Sequence, residues 1–154
     1  MIEIRRATPV DTGLIAEQRR RMFADAGLAA AEELDEMTAN FAVWVRPLLE
    51  DGTYLAWLAE DGARTVAGAG MLLIGFPPHW MDAEPLRAYL LNFYTEPSHR
   101  GQGIAPRLLQ LTLDEAKRRG IKVVTLHASK FGKPIYERHG FTPTSEMMLR
   151  LMDA

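Results

Sequence analysis

No feature of this chain narrows its fold more than Arg100-Gly101-Gln102-Gly103-Ile104-Ala105, where an apolar strand-like run at 90–94 gives way to an amphipathic stretch at 104–119. A strand that turns on glycine into a long helix is the repeating step of layered α/β chains. The two glycines permit a tight turn and leave N–H groups unobstructed. The first four amides of the following helix have no internal partners and carry the positive end of its dipole. Arg100 adds a fixed charge beside them. The junction therefore suits a pyrophosphate, although a glycine pair by itself also reads as a plain turn.

Spacing separates the glycine-rich motifs that compete for such a junction. A phosphate loop of the Walker type requires Lys-Ser/Thr after its last glycine, and none follows Gly103. A dinucleotide fingerprint requires a third small residue at the right offset and an acid at the end of the next strand. Ala105 falls only two positions after Gly103, and the next strand-like run ends Leu126-His127-Ala128.

Periodicity predicts the remaining elements. Residues 2–6 read as a strand, and Thr8-Pro9-Val10-Asp11 starts a helix reaching about Phe23. Leu34, Met37, Phe41, Trp44 and Leu48 recur at three and four and mark a second helix, with Pro47 weakening its last turn. Residues 53–59 and 65–74 read as strands around a hairpin turn at Glu60-Asp61-Gly62-Ala63, and 76–87 as a loop. Ile104, Ala105, Leu108, Leu109, Leu111, Thr112 and Ala116 give the third helix a broad apolar face, closed by Gly120. A strand at 122–128, a short helix from Phe131 or Gly132 to His139 and a last strand at 146–152 follow. An early hairpin and later alternation of strand and helix predict an α/β (α+β) mixed sheet with helices on both faces.

The run LLNFYTEPSHRGQGIAPRLLQLTLDEAKRRGIKVVTLHASKFGKPIYERHGF, from Leu90 to Phe141, resembles the GNAT superfamily of N-acetyltransferases. The likeness rests on an ordered series. It begins with a strand and the Thr95-x-Pro97-x-x-Arg100 approach, continues with the R-x-x-G-x-A loop and a long helix, and ends with a second strand and Tyr136-Glu137-x-x-Gly140-Phe141. The resemblance implies a single domain over 1–154, built on a central twisted mixed sheet with splayed central strands. It further implies acetyl-CoA as cofactor, with coenzyme A as product. The backbone of Phe93, Tyr94 and Thr95 would pair with the pantetheine arm like an added strand. Arg100, Gly101, Gln102, Gly103, Ile104 and Ala105 would hold the pyrophosphate, with Pro106 giving no amide. Ser129 stands where many members carry an asparagine that contacts the arm. Tyr136 aligns with the tyrosine whose hydroxyl lies near the thioester sulfur, which makes it the general acid to the departing thiolate.

The chain has no cysteine, so an acyl-cysteine intermediate is excluded and direct attack by a primary amine is the simplest route. An alkyl amine is almost wholly protonated at neutral pH, so a base is needed. The strand at 90–94 supplies no carboxylate. Glu84, Asp82, His79, Glu96 and His127, or a water, are the candidates. The family resemblance implies that the acceptor, a small molecule, a peptide amino terminus or a protein lysine, would meet Met22, Phe23, Trp44 and Trp80 and an acidic rim of Glu32, Glu33, Asp35, Glu36, Asp82 and Glu84. The alternative activity is a non-catalytic acyl-CoA-binding or regulatory module of the same fold.

Composition limits the partners. At 154 residues the chain buries about 68–70% of its unfolded surface, enough for one core. A formal charge of −2 gives nucleic acid and anionic membrane no global attraction, and Arg19-Arg20-Arg21 reads as a solvated helix face. The apolar stretch at 69–76 is too short to span a bilayer. Four histidines without cysteine and without i, i+4 spacing predict no metal site. Absence of cysteine and of a signal-like leader fits the cytoplasm, and the family resemblance favours a homodimer.

Overall fold

The computed structural model describes residues 1–152. Strands β1 (Ile2–Arg6), β2 (Tyr54–Asp61), β3 (Arg64–Gly75), β4 (Leu86–Thr95) and β5 (Val124–Leu126) form one sheet in sequence order. The first four are antiparallel, and β5 lies parallel to β4. A parallel pair needs a crossover, and helix α3 (Ile104–Arg118) provides it. Helices α1 (Thr12–Ala26), α2 (Ala31–Asp51) and α4 (Lys133–Arg138) complete the fold.

Alternation along β2 shows why helices cover both faces. Leu55, Trp57 and Ala59 join the cluster under α3 with Ile104, Leu108 and Leu109, whereas Tyr54, Ala56 and Leu58 join Ile15, Phe41 and Val45 of α1 and α2. A strand with both faces apolar is stable only between two layers. Helix α3 ends in paired bonds from Gly120 N to Lys117 O and from Ile121 N to Ala116 O, at 3.0 and 2.9 Å. These satisfy two of its last carbonyls.

Several sequence expectations need correction. Pro47 does not fray α2, which continues to Asp51. The carbonyl that loses its donor belongs to Val43, whose side chain is exposed, so water can replace the bond. Val45, four residues after Phe41, is fully buried, whereas Trp44 is 45% exposed. Leu86 and Arg87 belong to β4 rather than to the preceding loop, since they pair with Gly75 and Ile74. The expected strand at 122–128 shrinks to Val124–Leu126. The expected strand at 146–152 is absent. That segment has no strand partner, and Met147, Met148, Leu149, Leu151 and Met152 are exposed. A three-residue β5 offers too short a ladder to template it, and Pro143 removes one donor from the approach.

Candidate active site

Strands β4 and β5 pair only at Ala88↔Val124, Tyr89↔Thr125 and Leu90↔Leu126. Beyond Leu90, β4 runs on to Thr95 with β3 on one side and, among the described residues, no strand on the other. The central strands therefore splay, and Phe93, Tyr94 and Thr95 lie on the open part of β4. This cleft leads to the glycine loop. Gly101 and Gly103 have φ of +77° and +79°, a left-handed backbone that side chains resist. A Cβ at either would meet no atom within 4 Å, so conformation rather than crowding requires glycine, and the space before the loop is open. Among the described residues the amides of Gln102, Gly103, Ile104 and Ala105 donate no hydrogen bond. An open concavity with unpartnered amides at a helix start fits a pyrophosphate.

Arg100 is turned away from those amides. Its Nε donates to Thr95 O at 2.9 Å and its Nη2 to Asp25 at 2.7 Å, which ties the loop to the end of α1. Ser129 also has a local task, because its Oγ accepts from Gly132 N at 3.0 Å at the start of α4. Tyr136, on α4, stands edge-on to Phe93 with ring centroids 6.0 Å apart, and to Phe141 at 5.8 Å. The fold thus brings Tyr136 to the open part of β4 from the opposite side of the cleft. Burial alone pushes its phenol up to about 12, with no hydrogen bond opposing the shift. Such a phenol stays protonated throughout the physiological range.

On the α1 and α2 side the arrangement is built from side chains. β4 carries a bulge: Gly68 pairs with Tyr94 and Gly70 with Leu91, so Asn92 and Phe93 together oppose Ala69. Asn92 takes the extra turn at φ +59°. Its Nδ2 donates to the buried Tyr54 hydroxyl at 2.7 Å, and its Oδ1 accepts from Arg19 Nη1 at 2.7 Å. Gly70 makes room for this, since a Cβ there would lie 2.1 Å from the Tyr54 hydroxyl.

The arginine run is a solvated face at Arg20 and Arg21 but not at Arg19. Arg20 and Arg21 are ion-paired with Asp35 and Glu17 at 2.9 and 3.2 Å. Arg19 instead turns inward between the rings of Phe23 and Phe41, 4.9 and 5.0 Å from their centroids. Burial lowers its pKa, and among the described residues no carboxylate pairs with it. It opens onto a concavity of about 640 Å³ whose lining includes Glu33, Glu36, Met37, Phe41, Trp44 and Leu91.

The base candidates separate by surroundings. His79 and Asp82 bridge each other through their backbones, and Asp82 is buried, accepting from Glu84 N at 3.0 Å. His79 Nδ1 accepts from Met81 N at 3.2 Å, while Asp82 Oδ2 is buried and has no partner among the described residues. Glu96 is ion-paired with Arg21 and Arg64. Glu84 is exposed in the loop, and Trp80 is 88% exposed, so it walls no pocket. His127 follows β5 at the mouth of the cleft, hydrogen-bonded through Nδ1 to the Tyr89 hydroxyl and through Nε2 to Glu146 at 2.8 Å. With Nε2–H donating to the carboxylate, Nδ1 accepts from Tyr89.

Sequence reasoning missed Arg19, Tyr54, Tyr89, Asn92 and Glu146. Two signals pointed to part of this set. Asn92 is a poor strand residue within an apolar strand, and it tolerates left-handed backbone. The Gly68 and Gly70 pair in β3 marks close approach by something else. Among the described residues no group of three acidic or histidine side chains could hold a metal ion, and no helix is long and apolar enough to cross a membrane.

Comparison with known proteins agrees with this geometry. The chain is 38% identical to a GCN5-related N-acetyltransferase from Ralstonia eutropha JMP134, with TM-score 0.94 over 98% of this chain and 99% of the other. It is 31% identical to a predicted acetyltransferase from Clostridium acetobutylicum with acetyl-CoA, with TM-score 0.90 over 97% and 96%. Glucosamine-6-phosphate N-acetyltransferase from Arabidopsis thaliana shares the fold at 16% identity, with TM-score 0.69 over 99% of each chain. No match was found among curated proteins. Residues 22–150 match the model of the acetyltransferase (GNAT) domain, and the chain therefore belongs to the GNAT family of acetyltransferases.

Proposed function

We propose that the protein moves the acetyl group of acetyl-CoA directly to a primary amine, on a small molecule or a peptide. The observation that carries this reading is the open part of β4, which runs between the unpartnered amides of the glycine loop and the hydroxyl-bearing ring of Tyr136. Backbone groups of Phe93, Tyr94 and Thr95 hold the pantetheine arm by strand-like pairing. Gln102, Gly103, Ile104 and Ala105 hold the pyrophosphate through their amides, and Gly101 sets the turn. Arg100 and Ser129, occupied by Asp25 and Gly132, contribute less than the backbone does.

The cofactor supplies the acetyl thioester: as the acceptor nitrogen bonds to the carbonyl carbon, the carbon–sulfur bond breaks and its electron pair leaves on sulfur. Tyr136 donates a hydrogen bond to that sulfur. With its phenol raised to about 12, above the reference thiol value of about 8.5, it stabilises the developing thiolate more readily than it protonates it fully. The acceptor's proton leaves through Tyr89 oxygen while Tyr89 passes its own to His127 Nδ1. Glu146 faces the resulting imidazolium. Only roughly one alkyl amine in a few thousand is neutral at pH 7, which is why the bound ammonium needs such an outlet.

Calorimetric titration with acetyl-CoA, coenzyme A and ATP tests the cofactor half. Binding of both coenzyme A species without ATP is expected, and no binding by the folded protein would sink the reading. Amine-dependent release of free thiol tests the chemistry. Binding without thiol release across a broad amine panel would instead favour an acyl-CoA-binding module.

A further inference from the structure

From the setting of Arg19 we infer that the acceptor carries a carboxylate as well as its amine, on an apolar body: the site takes an amino-acid-like zwitterion, and Arg19 holds its carboxylate. This rests on the acetyltransferase reading above and deepens it.

A guanidinium partly withdrawn from water with no carboxylate against it is costly to keep, and Arg19, half-buried with its Nε covered, is such a group. Its neighbours on α1 point outward to partners of their own, Asp35 and Glu17. Arg19 has one hydrogen bond, to Asn92 Oδ1, and two aromatic faces. Its Nε has no partner. The remaining phenols near its charge, Tyr54 and Tyr89, are both shifted upward by burial and remain neutral. The protein thus holds a positive charge at a concavity where, among the described residues, no carboxylate pairs with it: Glu33 and Glu36 line the same concavity without reaching the guanidinium.

A carboxylate on the ligand would balance it, and planar guanidinium matches planar carboxylate with two parallel bonds. Position fixes which molecule brings the carboxylate. Arg19 is bonded to Asn92, next to Phe93, on the face of β4 turned toward α1 and α2. The proposed cofactor arm follows the strand edge, and its pyrophosphate belongs at the glycine loop after Thr95. The concavity before Arg19 is therefore left for the acceptor. Phe41, Trp44, Met37 and Leu91 give it an apolar wall, which suits a hydrocarbon or aromatic side chain. Glu33 and Glu36 at its rim attract the ammonium before it loses its proton.

The test uses pairs of amines that differ only at the carboxylate: phenylalanine with phenethylamine and phenylalaninamide, leucine with 3-methylbutylamine, tryptophan with tryptamine. 1-Amino-2-phenylethylphosphonate replaces the planar anion of phenylalanine by a tetrahedral one. Thiol release gives kcat/KM for each, and calorimetry in saturating coenzyme A gives acceptor binding without turnover. We expect the carboxylated member to be favoured by about 10²-fold, and Arg19→Gln to erase that preference in both measurements, with Arg19→Lys restoring part of it. A bracing role for Arg19 would lower all members of a pair together, leaving their ratio unchanged, and that result overturns the inference. So does preference for the phosphonate, or equal use of amine and amino acid by the unaltered protein. Failure of the acetyltransferase reading is distinct: it appears as loss of coenzyme A binding or as no thiol release with any amine.

Discussion

The two sides of the cleft are made of different material. On the side proposed for the cofactor the available groups are main-chain: unpartnered amides at the start of α3, two left-handed glycines, and a strand edge that β5 leaves open. On the acceptor side they are side chains in a chain of contacts, Arg19 to Asn92 to Tyr54, under a wall of Phe41 and Trp44. A backbone site constrains conformation and tolerates many side chains. A side-chain site can be rewritten by one substitution. One fold can therefore keep a fixed cofactor while its acceptor changes, because the parts that recognise the two are physically separate.

The largest effect should come from Gly103→Glu. Its φ of +79° disfavours any side chain, and a carboxylate placed beside the pyrophosphate adds like-charge repulsion of several kcal/mol. Calorimetry should show coenzyme A affinity reduced by about a thousandfold or more, while circular dichroism stays normal and stability falls only by the ~1–2 kcal/mol of left-handed strain, because the site is open. Retained binding would mean that the glycine loop is only a turn, and the contrast between the two sides would collapse.

Asn92→Ala is the matching blow to the acceptor side, and it should be read as stability. The variant removes a charge-assisted bond from Arg19, leaves the buried Tyr54 hydroxyl without its donor, and puts alanine at φ +59°. Together these cost about 3 kcal/mol, measurable by urea unfolding. Asn92→Gly should recover about 1 kcal/mol of that by relieving the left-handed strain. Equal losses in the two variants would show that the bulge is held by its hydrogen bonds alone.

Tyr136→Phe probes the point where the sides meet. Turnover should fall about 10²-fold with little change in cofactor affinity, equivalent to about 2.7 kcal/mol of barrier. Because burial holds the phenol protonated up to about 12, Tyr136 should contribute no loss of activity between neutrality and pH 10. An alkaline decline in that range that vanishes in Tyr136→Phe would contradict the upward shift. Unchanged turnover would remove Tyr136 from the chemistry.

The same contrast governs what could be read from sequence. Glycines, the amphipathic α3 and the Tyr136 motif are local signals, so the sheet, its helical layers and the placing of the glycine loop and Tyr136 along one cleft were legible. Arg19 was not, because periodicity cannot distinguish a charge facing solvent from one facing a pocket when both sit on a mixed helix face. Asn92 acts through a bulge, which depends on register between β3 and β4 rather than on either strand alone. The expected strand at 146–152 carried the right composition, but pairing depends on the length its neighbour offers, and β5 offers three residues.

The smallest effect should come from Arg100→Gln, and it sharpens the comparison most. Sequence placed this charge beside the phosphate amides, whereas its guanidinium is engaged by Thr95 O and Asp25 and about half exposed. Drawing it to a phosphate means giving up those bonds, and an exposed ion pair in water is worth about 1 kcal/mol or less. Coenzyme A affinity should therefore drop only about threefold to fivefold, and the drop should shrink as salt rises, since exposed charges are screened. If Arg100→Gln instead weakens binding as severely as Gly103→Glu, and salt does not soften the loss, the cofactor side depends on a side chain as much as the acceptor side does. The division of labour between backbone and side chains would then fail at its best-defined position.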